Sequence, residues 1–103
     1  MDDFNQIEVP PSFLALFTSP SGVRLTEPMS TVRRRYELCE DLAQMLTEQA
    51  STALFKSGGS EREVLEKFQL ALTVAESAVQ PAEATWVVRR LAELLGWGAP
   101  EAD

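Results

Sequence analysis

From Met29 to Ala53 the apolar residues recur in alternating steps of three and four: Met29, Val32, Tyr36, Cys39, Ala43, Leu46, Ala50 and Ala53. An α-helix gathers such positions onto one side, whereas a strand would divide them between two faces. Leu38, Leu42 and Met45 widen the seam to about half the circumference at ~100° per residue. A stripe that broad predicts a central helix covered by at least two neighbours, with a coiled coil as the competing reading. The helix is expected from about Pro28 to Lys56, with Thr26 or Ser30 as its N-cap and Gly58-Gly59 as its stop.

The flanking segments carry the same helical punctuation. Ser60-Glu61-Arg62-Glu63 is a capping box that opens a further helix, whose buried face is expected to hold Val64, Leu65, Phe68, Ala71, Leu72, Ala75 and Val79. Pro81 interrupts that helix and suits the first turn of the next. There Ala84, Val87, Val88, Leu91, Leu94 and Leu95 share a face. Gly96 reads as the left-handed residue after the helix, with Trp97 folding back as in a Schellman motif. Upstream, Pro10-Pro11-Ser12 opens the run Phe13-Leu14-Ala15-Leu16-Phe17, and Ser19-Pro20-Ser21-Gly22 closes it. This predicts a short helix near 11–18 followed by a loop over 19–26. A run so short is also long enough for a strand, but no second convincing strand exists to pair with it.

The expected fold is therefore all-α: a small antiparallel bundle of three main helices plus a short N-terminal helix. The bundle domain is expected over 10–97, with flexible ends at 1–9 and 98–103. A chain of 103 residues suits one domain, and 45% apolar residues can supply its core.

Charge and residue usage narrow the function. Sixteen acidic against nine basic residues leave a net charge of −7. That field repels phosphate backbones and anionic membranes, so a nucleic-acid role needs a segregated basic face. No run of about 18 apolar residues is present to span a bilayer, and the N-terminus lacks the pattern of a secretory signal. With Cys39 as the sole cysteine no internal disulfide forms, and the chain is expected to be cytoplasmic.

Catalytic equipment is thin. Without histidine, a histidine-activated nucleophile is impossible and the remaining zinc ligands are poor. Cys39 falls in the middle of the apolar seam and reads as a small core residue. Lys56-Ser57-Gly58-Gly59-Ser60 lacks the residue order of a phosphate loop and reads as turn and cap. The carboxylates Glu37, Glu40, Asp41, Glu48, Glu61, Glu63 and Glu66 fall mainly on polar helix faces, where nothing drives their pKa values apart for acid–base work. The expectation is a non-enzyme with no cofactor and no metal.

Three features point to binding instead. Arg33-Arg34-Arg35 sits early in the long helix, where cations oppose the helix dipole. Arg35 falls within the apolar arc; its stem can cover core while the head reaches water, or it can anchor a partner. Trp86 plots opposite Val87, Val88 and Leu91, on the side of Arg89, Arg90 and Glu93. It is either covered by the chain, with Phe4, Ile7, Phe13 and Phe17 available, or presented beside arginine as a binding hot spot. Leu70 and Val74 lie one turn apart, off their helix's main face. They are either packed by the N-terminal helix or exposed as the seam of a homodimer.

At Pro10-Pro11-Ser12-Phe13, Arg35-Tyr36-Glu37-Leu38-Cys39-Glu40-Asp41-Leu42 and Arg90-Leu91-Ala92-Glu93-Leu94-Leu95-Gly96-Trp97 the chain resembles a group of small uncharacterised bacterial helical proteins. Some of them bear the label "ATPase with chaperone activity". The resemblance covers most of the chain and brings no active residues with it. No nucleotide-binding loop supports the ATPase activity here.

The functional expectation is a protein–protein interaction module, an adaptor or regulator of a larger cytosolic assembly. Its expected partner-binding residues are Trp86, Arg89, Arg90, Arg33, Arg34 and Arg35. The alternative is a small helical nucleic-acid-binding regulator using those arginines, although no helix-turn-helix is recognisable.

Overall fold

A computed structural model describes residues 8–22, 24–74 and 78–97. The chain is all-α: among the described residues the helices are α1 (Pro11–Leu14), α2 (Met29–Ser57), α3 (Glu61–Leu72) and α4 (Pro81–Leu95), and there is no strand. Expectations for Phe4, Ile7, Ala75 and the C-terminal tail lie outside those residues. The chain divides into two compact units, one up to Leu38 and one from Cys39 onward, so the division falls inside α2.

In the first unit, Pro10 accepts hydrogen bonds from the amides of Phe13 and Leu14 at 3.0 Å each, and Pro11 occupies the first turn of α1. The short apolar run is thus helical, and it tightens into a 3₁₀ turn at Ala15–Phe17. Phe13 is fully enclosed, with ring centroids 5.6 Å from both Phe17 and Tyr36. The Tyr36 ring meets it edge-on at 65°, a favoured aromatic geometry. The following loop closes on itself: the Thr26 amide donates to the Phe17 carbonyl at 2.7 Å and the Ser19 amide to the Arg24 carbonyl at 2.8 Å.

That closure corrects the expected start of α2. The Thr26 hydroxyl also donates to the Phe17 carbonyl, at 3.2 Å, and so belongs to the loop. The first helical bonds come from the amides of Thr31 and Val32 to the Pro28 carbonyl, at 2.9 and 3.0 Å. Pro28, not Thr26 or Ser30, therefore stands where a cap residue would.

Along α2 the narrow seam is the buried one. Val32, Cys39, Ala43 and Ala50 are fully enclosed, and Tyr36, Leu46 and Ala53 are half-buried. Met29, at the seam's start, is 38% exposed. Of the three residues expected to widen the seam, Leu42 is half-buried while Leu38 is 37% exposed and Met45 63%. Helical periodicity reports direction around an axis, not how far the neighbours reach around it. Gly58 ends the helix with a φ of 67°, and its amide donates to the Leu54 carbonyl at 3.1 Å.

The second unit has one apolar cluster of Ala50, Val64, Leu65, Val88, Leu91 and Ala92. Phe68, Leu72, Leu95 and Trp97 pack around it. Each fully buried large side chain there contributes roughly 1.5–3 kcal/mol. The capping box of α3 forms as expected: the Glu63 amide donates to Ser60 Oγ at 3.1 Å and the Ser60 amide to Glu63 Oε1 at 3.4 Å. Ala71, placed on the buried face of α3 by its spacing, is exposed.

Helix α4 packs on α3 and is the most enclosed element of the unit. Gln69 Nε2 donates to Thr85 Oγ1 across that contact at 2.8 Å. At its start, the Gln80 amide donates to Glu83 Oε1 at 2.9 Å, which gives the buried Glu83 carboxylate a partner at the positive end of the helix. At its end Gly96 has a φ of 75°. The Trp97 amide donates to the Ala92 carbonyl at 2.9 Å and the Gly96 amide to that of Glu93 at 3.2 Å, the two bonds of a Schellman motif.

Candidate protein-docking surface

The six expected binding residues are divided between the two units. Arg33, Arg34 and Arg35 lie in the first unit; Trp86, Arg89 and Arg90 lie in the second. Arg34 is exposed, while Arg33 and Arg35 are half-buried. For Arg35 partial burial matches a stem laid over apolar neighbours.

Trp86 is only 8% exposed, which matches cover by the chain itself rather than display. Its indole is part of the packing of α4 although Arg89 and Glu93, on the same side of the helix, are exposed.

Arg90 is committed to two carboxylates. Its Nε donates to Glu40 Oε1 at 2.8 Å and its Nη2 to Glu40 Oε2 at 3.0 Å, while Nη1 reaches Glu93 Oε1 at 3.1 Å. Gln44 Nε2 adds a bond to Glu40 Oε2 at 2.7 Å. Two parallel charge-assisted bonds make the Glu40 contact a two-point clamp between α2 and α4. The Arg90 hydrogen bond holds the Glu40 carboxyl below its ordinary range; partial burial opposes the shift and the Gln44 amide reinforces it. Arg89 remains on the exposed side.

What the second unit does leave in solvent is apolar. Phe55 is 88% exposed and, with Met45, lies on the outer side of α2; Leu70 is 70% and Val74 56% exposed on and just beyond α3. Leu70 and Val74 thus stand in solvent rather than packed away. Met45, Glu48, Gln49, Thr52 and Ala53 line a shallow open groove on α2, and Glu63, Glu66, Lys67 and Leu70 line another on α3. Met45 points about 120–140° away from Cys39 and Ala50 at ~100° per residue, so its own spacing places it off the seam. Phe55 had a legible signal that went unused: at ~100° per residue it points nearly opposite Cys39 and Ala50.

Among the described residues no group of three or more His, Cys, Asp or Glu side chains is arranged to hold a metal ion. Cys39 forms no disulfide and is enclosed. No helix of the described residues is long and apolar enough to cross a membrane. No known family model matches the chain, and comparison with curated proteins and with solved structures finds no significant match.

Proposed function

We propose that this protein is a non-enzymatic interaction module, an adaptor or regulator that docks on another protein within a cytosolic assembly. In this reading the helices form an antiparallel bundle whose task is to hold a sticky outer surface in fixed geometry. The observation that carries it is the exposure of Phe55, Leu70, Met45 and Val74 within one compact unit. Isolated exposed apolar residues are ordinary, but Met45 and Phe55 on the outer side of α2 and the neighbouring Leu70 and Val74 at α3 resemble the anchors of a partner surface. The Leu70–Val74 edge is the part best suited to a second copy of the chain.

This reading moves the anchors away from Trp86 and Arg90, which serve the fold, and leaves Arg89 as a rim charge. The nucleic-acid alternative loses support, because the Arg90 guanidinium is already bound to Glu40 and Glu93.

The test is affinity purification of the full chain from its native host, read by mass spectrometry, beside a variant carrying Met45→Ser, Phe55→Ser, Leu70→Ser and Val74→Ser. A protein retained by the wild type and lost by an equally helical variant is the expected result. Identical recoveries from both would remove the reading.

A further inference from the structure

The outer side of α2 carries a second three-four series, opposite the buried seam. Asp41, Met45, Glu48, Thr52 and Phe55 follow steps of four, three, four and three, and all five are exposed. They run along about 21 Å of helix at ~1.5 Å per residue. Positions so spaced form a straight track that a second helix can follow at a shallow crossing angle. Met45 and Phe55 are its large apolar side chains, with Asp41, Glu48 and Thr52 acidic or polar between and beside them.

Charge identifies the occupant. Among the described residues neither Asp41 nor Glu48 makes an ion pair or a side-chain hydrogen bond, unlike Glu40 one position away. Between Arg35 and Lys56 the chain has no lysine or arginine. A second copy laid parallel along this stretch would bring carboxylates and no cation; laid antiparallel it would bring Lys56 to Asp41 but set Glu48 against Glu48, which is unfavourable as the contact loses water. A partner that answers the track has to supply the positive charge itself.

We infer that the Asp41–Phe55 track of α2 receives a cationic amphipathic helix of another protein, with apolar side chains against Met45 and Phe55 and lysines or arginines facing Asp41 and Glu48. The inference rests on the interaction reading above and gives it a partner class. Apolar contact supplies the attraction, while the carboxylates select the sign of charge and the register.

The probe is a synthetic Leu/Lys amphipathic helical peptide of roughly three heptads, set beside the same peptide with glutamate for lysine. Fluorescence anisotropy reads binding to the full chain at physiological salt. The lysine peptide is expected to bind and the glutamate peptide not. Met45→Ser with Phe55→Ser should weaken binding about tenfold or more, as should Asp41→Asn with Glu48→Gln, while Leu70→Ser with Val74→Ser leaves it unchanged. Circular dichroism and melting confirm that each variant folds. No binding of the lysine peptide, equal binding of both peptides, or indifference to the α2 substitutions overturns the inference. Dimerisation of the chain that is lost in the Met45→Ser, Phe55→Ser variant also overturns it, in favour of a second copy. A native partner whose retention needs Leu70 and Val74 but not Met45 and Phe55 would sink this inference alone and leave the interaction reading standing.

Discussion

Glu40 and Arg90, fifty positions apart in the chain, meet through two parallel hydrogen bonds of 2.8 and 3.0 Å. The pair fastens α4 to α2 beside the apolar cluster. Its side chains are 17% and 33% exposed, enough shelter for the contact to exceed an ordinary surface ion pair. Arg90→Gln is expected to lower stability by about 1–2 kcal/mol, measured by urea unfolding. A double-mutant cycle with Glu40→Gln should return a coupling of about 1 kcal/mol, whereas additive effects would show that the clamp contributes nothing.

The same pair sets an acid dependence. Glu40 titrates below its ordinary value of 4.5 in the folded chain, chiefly through the Arg90 hydrogen bond. The folded state thus holds the Glu40 proton less tightly than the unfolded state does. Its contribution is complete above the unfolded pKa and is lost as pH falls through the lower, folded one. The stability gap between wild type and Glu40→Gln should therefore be constant near neutrality and close progressively in acid below about pH 4.5. Unfolding curves at a series of pH values decide this, and a gap that widens in acid contradicts it.

Trp86 separates a structural role from a docking one. As a buried indole its replacement by alanine should cost about 3–5 kcal/mol and lower the melting temperature sharply. Arg34→Ala, on an exposed side chain, should stay within about 0.5 kcal/mol. A Trp86→Ala chain that melts like the wild type would return the residue to the list of partner anchors.

Leu70 and Val74 should behave in the opposite way to Leu65. Replacing the exposed pair with serine is expected to change monomer stability by less than about 0.5 kcal/mol, while Leu65→Ala at the cluster's centre should cost about 2–5 kcal/mol. Sedimentation over a range of concentrations checks the proposed homodimer. A self-association abolished by the double serine variant supports it, and a wild type that stays monomeric throughout removes it.

Helix ends give a further check. Ser60→Ala removes the acceptor of the Glu63 amide and should cost about 1 kcal/mol. Gly96→Ala places a side chain on a residue of φ 75° and should cost about 1–2 kcal/mol. Both losses are read from urea midpoints with an unchanged m-value.

The residues differed in how much they disclosed in advance. The α2 seam, the Ser60 box and the Gly96-Trp97 ending were legible because each is a local rule: fixed spacing, or a side chain meeting a backbone group within one turn. How far cover reaches on either side of the α2 seam, at Leu42 or Leu38, was not, since exposure depends on where other helices stop. The Glu40–Arg90 clamp was invisible for a related reason, as no periodicity connects residues so distant. Trp86 was ambiguous because the polar neighbours on its side of α4 imply solvent, yet the indole is enclosed. The candidate surface was least legible of all, because it is defined by apolar side chains that the fold leaves over.

Cys39 offers a practical consequence. It is the chain's sole thiol, and the structure shuts it completely within the α2 seam. A thiol-reactive reagent can reach it only when that stretch of helix comes apart, so the speed of alkylation meters how often it does so. A chain without any added label thus carries its own clock for breathing at the middle of its longest helix.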